Sequence, residues 1–153
     1  MKGRLARFAA ENEREFAAGE DIVREGDLGS QMYIVQRGRV SVRKAVGERQ
    51  VELAELGQGD IFGEMSLLEG LPRSTTVRAL EPTTVMIVEP GGFLLKIRRD
   101  PTLAFELLQQ LSGRVRRLNE RLSEALLARA ENQAAVDLTV AHSEFAVPAE
   151  RQA

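Results

Sequence analysis

The spacing of its glycines constrains this chain most. Eleven of them fall between positions 19 and 92: Gly19, Gly26, Gly29, Gly38, Gly47, Gly57, Gly59, Gly63, Gly70, Gly91 and Gly92. The runs between them are short and β-prone. MYIVQ (Met32 to Gln36) and RVSVRKAV (Arg39 to Val46) flank Arg37-Gly38, a hairpin-like turn. QVELAEL (Gln50 to Leu56) alternates apolar and polar residues at period two. TTVRAL (Thr75 to Leu80) and TTVMIVE (Thr83 to Glu89) flank Glu81-Pro82. Many short strands with closely spaced turns predict an antiparallel sandwich or barrel.

After Gly92 the period changes. Phe93 to Arg99 reads as one or two helical turns, and Asp100-Pro101 as an N-cap followed by proline at the first helical position. Leu108, Leu111, Val115, Leu118, Leu122 and Ala125 then recur at alternating spacings of three and four, with Leu126 alongside. That is an a/d seam over about two and a half heptads. It serves either as a stripe packed on the chain's own β-domain or as a parallel homodimer seam, and its length favours the homodimer through 103–126. Arg114, Arg116, Arg117, Arg121, Glu120 and Glu124 read as the solvated face of the helix. From 131 to 153 the heptad is lost, and the segment reads as a tail that is disordered or docks on a partner.

Bulk properties exclude several function classes. The chain has 153 residues, the size of one ordinary domain, and at 43% hydrophobic it can bury a core. A formal net charge of −2 argues against a general nucleic-acid binder. With no cysteine, disulfide scaffolds, thiolate zinc sites and cysteine nucleophiles are excluded. The N-terminus turns acidic before any apolar core of a secretory signal develops, and no apolar run approaches the ~20 residues needed to span a bilayer. The expected setting is cytoplasmic, away from the membrane.

One stretch concentrates chemistry: FGEMSLLEGLPRSTTVRA, Phe62 to Ala79. Gly63 permits a tight turn and close approach of a ligand to the backbone. The first N–H groups of the turn that follows lack helical partners and suit an anion. Arg73 can grip two phosphate oxygens, and Ser74 and Thr75 offer further donors. Glu64 would be repelled by a bare anion but can accept from a sugar hydroxyl. Taken singly, Gly-Glu pairs and Pro-Arg-Ser turns are ordinary surface features. Together they fit a phosphate next to a sugar with a free hydroxyl.

This stretch resembles the phosphate-binding cassette of the cyclic-nucleotide-binding domain family, matching its F-G-E and P-R-(small)-(small)-T-V-(basic)-A pattern without a gap. Glu25-Gly26-Asp27, Met32-Tyr33-Ile34-Val35 and Gly57-Gln58-Gly59-Asp60 resemble the family's upstream strands and turns. The resemblance covers about Phe16 to Leu126. It implies a mainly β fold with flanking helices: an antiparallel, jelly-roll-like β-roll followed by a long C-terminal helix. The implied organisation is a short N-terminal helical segment at 1–15, a β-roll at 16–92 holding the cassette at 62–79, and lid or dimerisation helices at 93–130, before the tail.

By the same resemblance the ligand is cyclic AMP or cyclic GMP, with cyclic AMP favoured. Ser74 and Thr76 carry hydroxyls compatible with either base. Glu64 would accept from the ribose 2′-hydroxyl and Arg73 would pair with the cyclic phosphate. Ser74 and the N–H groups of Ser66 and Thr75 would complete the cradle, with Gly63 and Met65 in the same turn. Val42 and Leu56 would line the base. Leu118 and Asn119 of the lid helix would reach the base edge, and Arg114 would pair with Glu64. The family's transcription factors carry a helix-turn-helix after the long helix. The 25 or so residues that follow it here are too few for one, so no DNA binding is expected. The expected function is a regulatory module signalling to a separate, unidentified protein. The alternative is the same scaffold with its ligand lost, or changed to a different nucleotide such as cyclic di-GMP. An enzyme of cupin type would need several histidines, and the chain has one, His142. With no nucleophile–base pair either, neither catalysis nor a metal is expected.

Overall fold

The computed structural model describes residues 12–144. It begins with five strands: β1 (Glu13–Phe16), β2 (Asp21–Val23), β3 (Met32–Arg37), β4 (Val40–Val46) and β5 (Arg49–Leu56). Then come β6 (Ile61–Phe62), a short helix α1 (Glu64–Glu69), β7 (Thr76–Ala79) and β8 (Thr83–Val88). Two helices follow, α2 (Pro90–Arg99) and α3 (Thr102–Glu144). The strands form two four-stranded antiparallel sheets, ordered β1-β8-β3-β6 and β2-β7-β4-β5. This is the β-roll followed by a long helix that the sequence predicts.

The apolar runs of β3 and β8 explain how the layers assemble. Successive side chains on a strand point to opposite faces, so an unbroken apolar run needs cover on both. Met32 and Ile34 of β3, with Met86 and Val88 of β8, pack against Phe93 of α2 and against Leu103 and Leu107 of α3. Tyr33, Val35 and Val85 turn the other way and meet Val40, Leu56 and Val77 from the second sheet. One sheet is therefore apolar on both faces, between helices and strands.

The first turns of α3 are tied to the roll. The Asp100 carboxylate accepts from the Thr102 backbone N–H at 3.1 Å and from its hydroxyl, the cap that Asp100-Pro101 predicts. Gln110 accepts from the N–H of Ile61 at 3.2 Å and donates to the carbonyl of Gly59 at 2.9 Å.

The structure alters the predicted boundaries. Residues 13–15, expected to be helical, belong to β1, which pairs with β8 in the register Glu13↔Met86 to Phe16↔Thr83. Phe16 packs on the inter-sheet core there. The remainder of that predicted helix, residues 1–11, lies outside the described residues. The segment from 131, expected to be a tail, continues α3 to Glu144. Loss of the heptad ends a seam, but helix propensity decides whether the helix continues. Glu131 to Glu144 has three alanines and neither glycine nor proline. Its side chains close local bonds, Gln133 to Asp137 at 3.0 Å and Thr139 to the Ala135 carbonyl at 2.9 Å. Residues 145–153 lie outside the description. The chain divides into two compact units between Ser112 and Gly113, inside α3. Leu103 and Leu107 belong to the roll's core, whereas Val115, Leu118, Leu122 and Leu126 of the second unit are exposed.

Asp21 of β2 joins two strands electrostatically. It accepts from Arg78 of β7 at 2.7 and 3.3 Å and lies 3.5 Å from Arg24. The Arg78 hydrogen bonds, opposed by burial and helped by the charges of Arg78 and Arg24, hold its carboxyl below the ordinary value of 3.8. A depressed folded-state pKa gives stability that is present above the unfolded value and lost as pH falls through the folded one. Asp21→Asn should therefore lower the melting temperature near neutral pH. The gap to the parent should shrink as pH drops below 3.8; thermal melts across that range check it.

Candidate functional site

The cassette begins where β6 ends. Gly63 has φ of 76° and opens α1, and Gly70, with φ of 68°, closes it by donating its N–H to the Ser66 carbonyl at 3.0 Å. Glu64 and Ser66 are buried in that turn, Met65 points outward, and Ser74 and Thr75 are half-buried. The Ser74 hydroxyl lies 3.6 Å from the Met65 sulfur, which links the two ends of the cassette.

Arg73 is the centre of the arrangement. Its side chain is only 5% exposed. Nη1 donates to the Gln31 carbonyl at 2.7 Å and to the Gly63 carbonyl at 3.4 Å, and Nη2 reaches Gln31 Oε1 at 3.5 Å. The guanidinium lies 5.5 Å from the centroid of Tyr33, which stacks on Phe62 at 4.9 Å. Every one of these acceptors is neutral. Among the described residues no carboxylate pairs with Arg73. A buried cation ordinarily has a counter-charge; here the guanidinium is held by main-chain and amide oxygens alone.

Of the predicted residues, the structure brings Gly63, Met65, Arg73 and Ser74 into direct or near contact. Val42 is half-buried against the inter-sheet core. Leu56 is placed differently from a base-lining residue: it is 4% exposed and packed with Val40, Val77 and Val85 between the sheets. A bulge in β5 gives Val42 a different neighbour. Val42 faces Ala54 and Arg43 faces Glu52, which leaves Leu53 as an extra, half-buried residue beside Val42. Arg114, Leu118 and Asn119 lie in the second unit, the last two exposed.

Gln31, Gly29 and Tyr33 were missed by motif reasoning, although all three shape the arginine's surroundings. Gln31 acts largely through its main-chain carbonyl, which no sequence pattern marks. Gly29 matters for the atoms it lacks, because a Cβ there would lie 2.7 Å from Arg73 Nη2. At Gly63 a Cβ would meet both Arg73 Nη1 and the Gln31 carbonyl at 2.9 Å, in a left-handed backbone conformation. Gly63→Ala should thus cost about 1–2 kcal/mol in denaturant unfolding. An unchanged midpoint would show that the turn relaxes freely.

The family model for the cyclic nucleotide-binding domain matches residues 13–100. The chain is 36% identical to the cyclic AMP receptor protein of Thermus thermophilus, over 82% of this chain and 58% of that one. It is 27% identical to a CRP-like cAMP-activated global transcriptional regulator of Mycobacterium tuberculosis, over 73% of this chain and 50% of that one. It thus spans only 50–58% of the length of these relatives. The crystal structure of a cyclic nucleotide-binding domain from Methylobacillus flagellatus superposes with a TM-score of 0.65 at 27% identity, covering 71% of this chain and 64% of that one. With the family model spanning more than half of the chain and a roll of the same fold beneath it, this chain belongs to the cyclic nucleotide-binding domain family.

Proposed function

We propose that this protein is a regulatory module that binds a 3′,5′-cyclic nucleotide, preferentially cyclic AMP, and passes the event through α3 to a separate partner. The observation that carries the reading is the buried Arg73 guanidinium with only neutral acceptors, in the same cassette as the buried Glu64 at the start of α1. The arginine takes the cyclic phosphate. Glu64 accepts from the ribose 2′-hydroxyl, which stays free in a 3′,5′-cyclic nucleotide. The Ser66 and Thr75 N–H groups and the Ser74 hydroxyl complete the phosphate contacts around Gly63 and Met65. Val42 and the bulged Leu53 offer apolar surface to the purine, the role first given to Leu56. Both curated relatives are named for cyclic AMP, which supports that ligand over cyclic GMP.

Calorimetric titration with cyclic AMP, cyclic GMP and cyclic di-GMP tests the ligand. Cyclic AMP should bind most tightly. Binding of none of the three below about 100 μM would end this reading, and binding of cyclic di-GMP alone would reassign the ligand. Arg73→Ala removes a charge-assisted phosphate contact and should weaken cyclic AMP by about ten- to a hundredfold.

The output side rests on α3. Its exposed Leu108, Val115, Leu118, Leu122 and Leu126 form an apolar stripe that water disfavours. A second copy of the chain supplies matching cover in a parallel seam. Sedimentation equilibrium should give a dimer, with and without cyclic AMP; a monomer at high micromolar concentration in both states would remove the seam.

A further inference from the structure

A second cluster of groups grips the cassette away from the arginine side chain. Glu25 follows β2. Its Oε1 accepts from Lys44 Nζ at 2.5 Å and its Oε2 from the Ala45 N–H at 2.9 Å. The Glu25 N–H donates to the Thr76 hydroxyl at 3.0 Å. Lys44 Nζ also donates to the Ser74 carbonyl at 2.9 Å. Next to these bonds the Gly26 N–H donates to the Arg73 carbonyl at 2.8 Å, and the Arg73 N–H to the Asp27 carbonyl at 2.9 Å. Residues 73, 74 and 76 are thus each tied to the 25–27 turn or to Lys44.

The position of Lys44 explains why it is needed. The β4–β7 ladder ends with Arg43↔Thr76. Lys44 is the next residue along β4, and its side chain reaches the carbonyl just beyond the end of the ladder. The peptide joining Ser74 to Thr75 is a rigid trans plane in which C=O and N–H point in opposite directions. Fixing the Ser74 carbonyl on Lys44 therefore aims the Thr75 N–H away from Lys44. Glu25 supports this by holding the ammonium. Lys44 and the Ala45 N–H in turn keep its carboxyl below the usual carboxylate range. Because Glu25 compensates its charge, Lys44 contributes direction at the cassette more than electrostatic field.

We propose that the Glu25–Lys44 pair is a positioning device for the phosphate cradle, fixing the Ser74–Thr75 peptide so that its N–H meets one exocyclic oxygen of the bound cyclic phosphate. This rests on the cyclic-nucleotide reading above. Neither Glu25 nor Lys44 touches the ligand. They act through the backbone of the residues that do.

The test uses the full chain and titrates cyclic AMP and the two diastereomers of its phosphorothioate, in which sulfur replaces one exocyclic oxygen or the other. The parent should distinguish the diastereomers, because the aimed N–H faces only one of these positions. Lys44→Met should weaken cyclic AMP by about tenfold and narrow the diastereomer ratio, while Lys44→Arg, which can still donate to the Ser74 carbonyl, should restore both. Affinity within about twofold of the parent, or a loss of affinity with the ratio unchanged, overturns the proposal; the second result would make Lys44 a source of field alone. If Lys44→Met fails to fold, Glu25→Gln carries the same readouts, since it keeps an acceptor for Ala45 but gives up the charge that holds Lys44. A parent chain that binds no cyclic nucleotide overturns the functional reading itself and this proposal with it, a result separate from a parent that binds and a variant that binds equally well.

Discussion

A guanidinium enclosed by neutral acceptors organises this molecule. Arg73 sits in a space shaped by Gly29, Gly63, Gln31 and Tyr33. Burying a charge in this way is unfavourable unless something else stabilises it, and the surrounding fold is arranged to tolerate it. Main-chain carbonyls partly solvate it, and the face of Tyr33 adds a cation–π contact. Two glycines leave the room that a Cβ would take. The cassette backbone that carries the arginine is tied to the 25–27 turn on both sides of its peptide, so the side chain enters the site from a fixed base.

The core provides that base. β3 serves both layers, because its alternate residues pack against helices on one face and against the opposite sheet on the other. β3 also carries Tyr33, whose ring lies beneath Arg73 while its body belongs to the inter-sheet core. Core packing and site geometry thus share a residue, and a disturbance in one reaches the other. The cassette itself is short and irregular, as anion-binding backbone commonly is, and takes its precision from the strands around it.

The strands were legible because glycine and the Pro-containing turns punctuate them and because alternation is a local property. Asp100-Pro101 was legible for the same reason, since a cap is a local bond. Leu56 shows where local reading stops. Its alternation places it on an inward face, but whether that face meets ligand or protein depends on the bulge at Leu53, and this depends on the partner strand. The extent of α3 was hidden because the heptad was read as the helix, although alanine-rich sequence holds a helix without a seam. Residues 13–15 were read as helical, but their conformation is set by the edge of β8, distant in sequence.

By itself the sequence determined a series of short antiparallel strands followed by a helical seam, and a cassette whose glycine, carboxylate, arginine and hydroxyls suit a sugar phosphate; the β-roll was implied by the family resemblance. The strands, the seam and the cassette follow from residue types at short separations, where spacing already fixes geometry. Tertiary structure decided what surrounds the arginine, which apolar residues are spent on the core, and how Lys44 comes to hold a carbonyl thirty residues away. Those outcomes depend on which strands become neighbours. Neighbours are chosen by the collective burial of both sheets, a property that no single stretch of the chain contains.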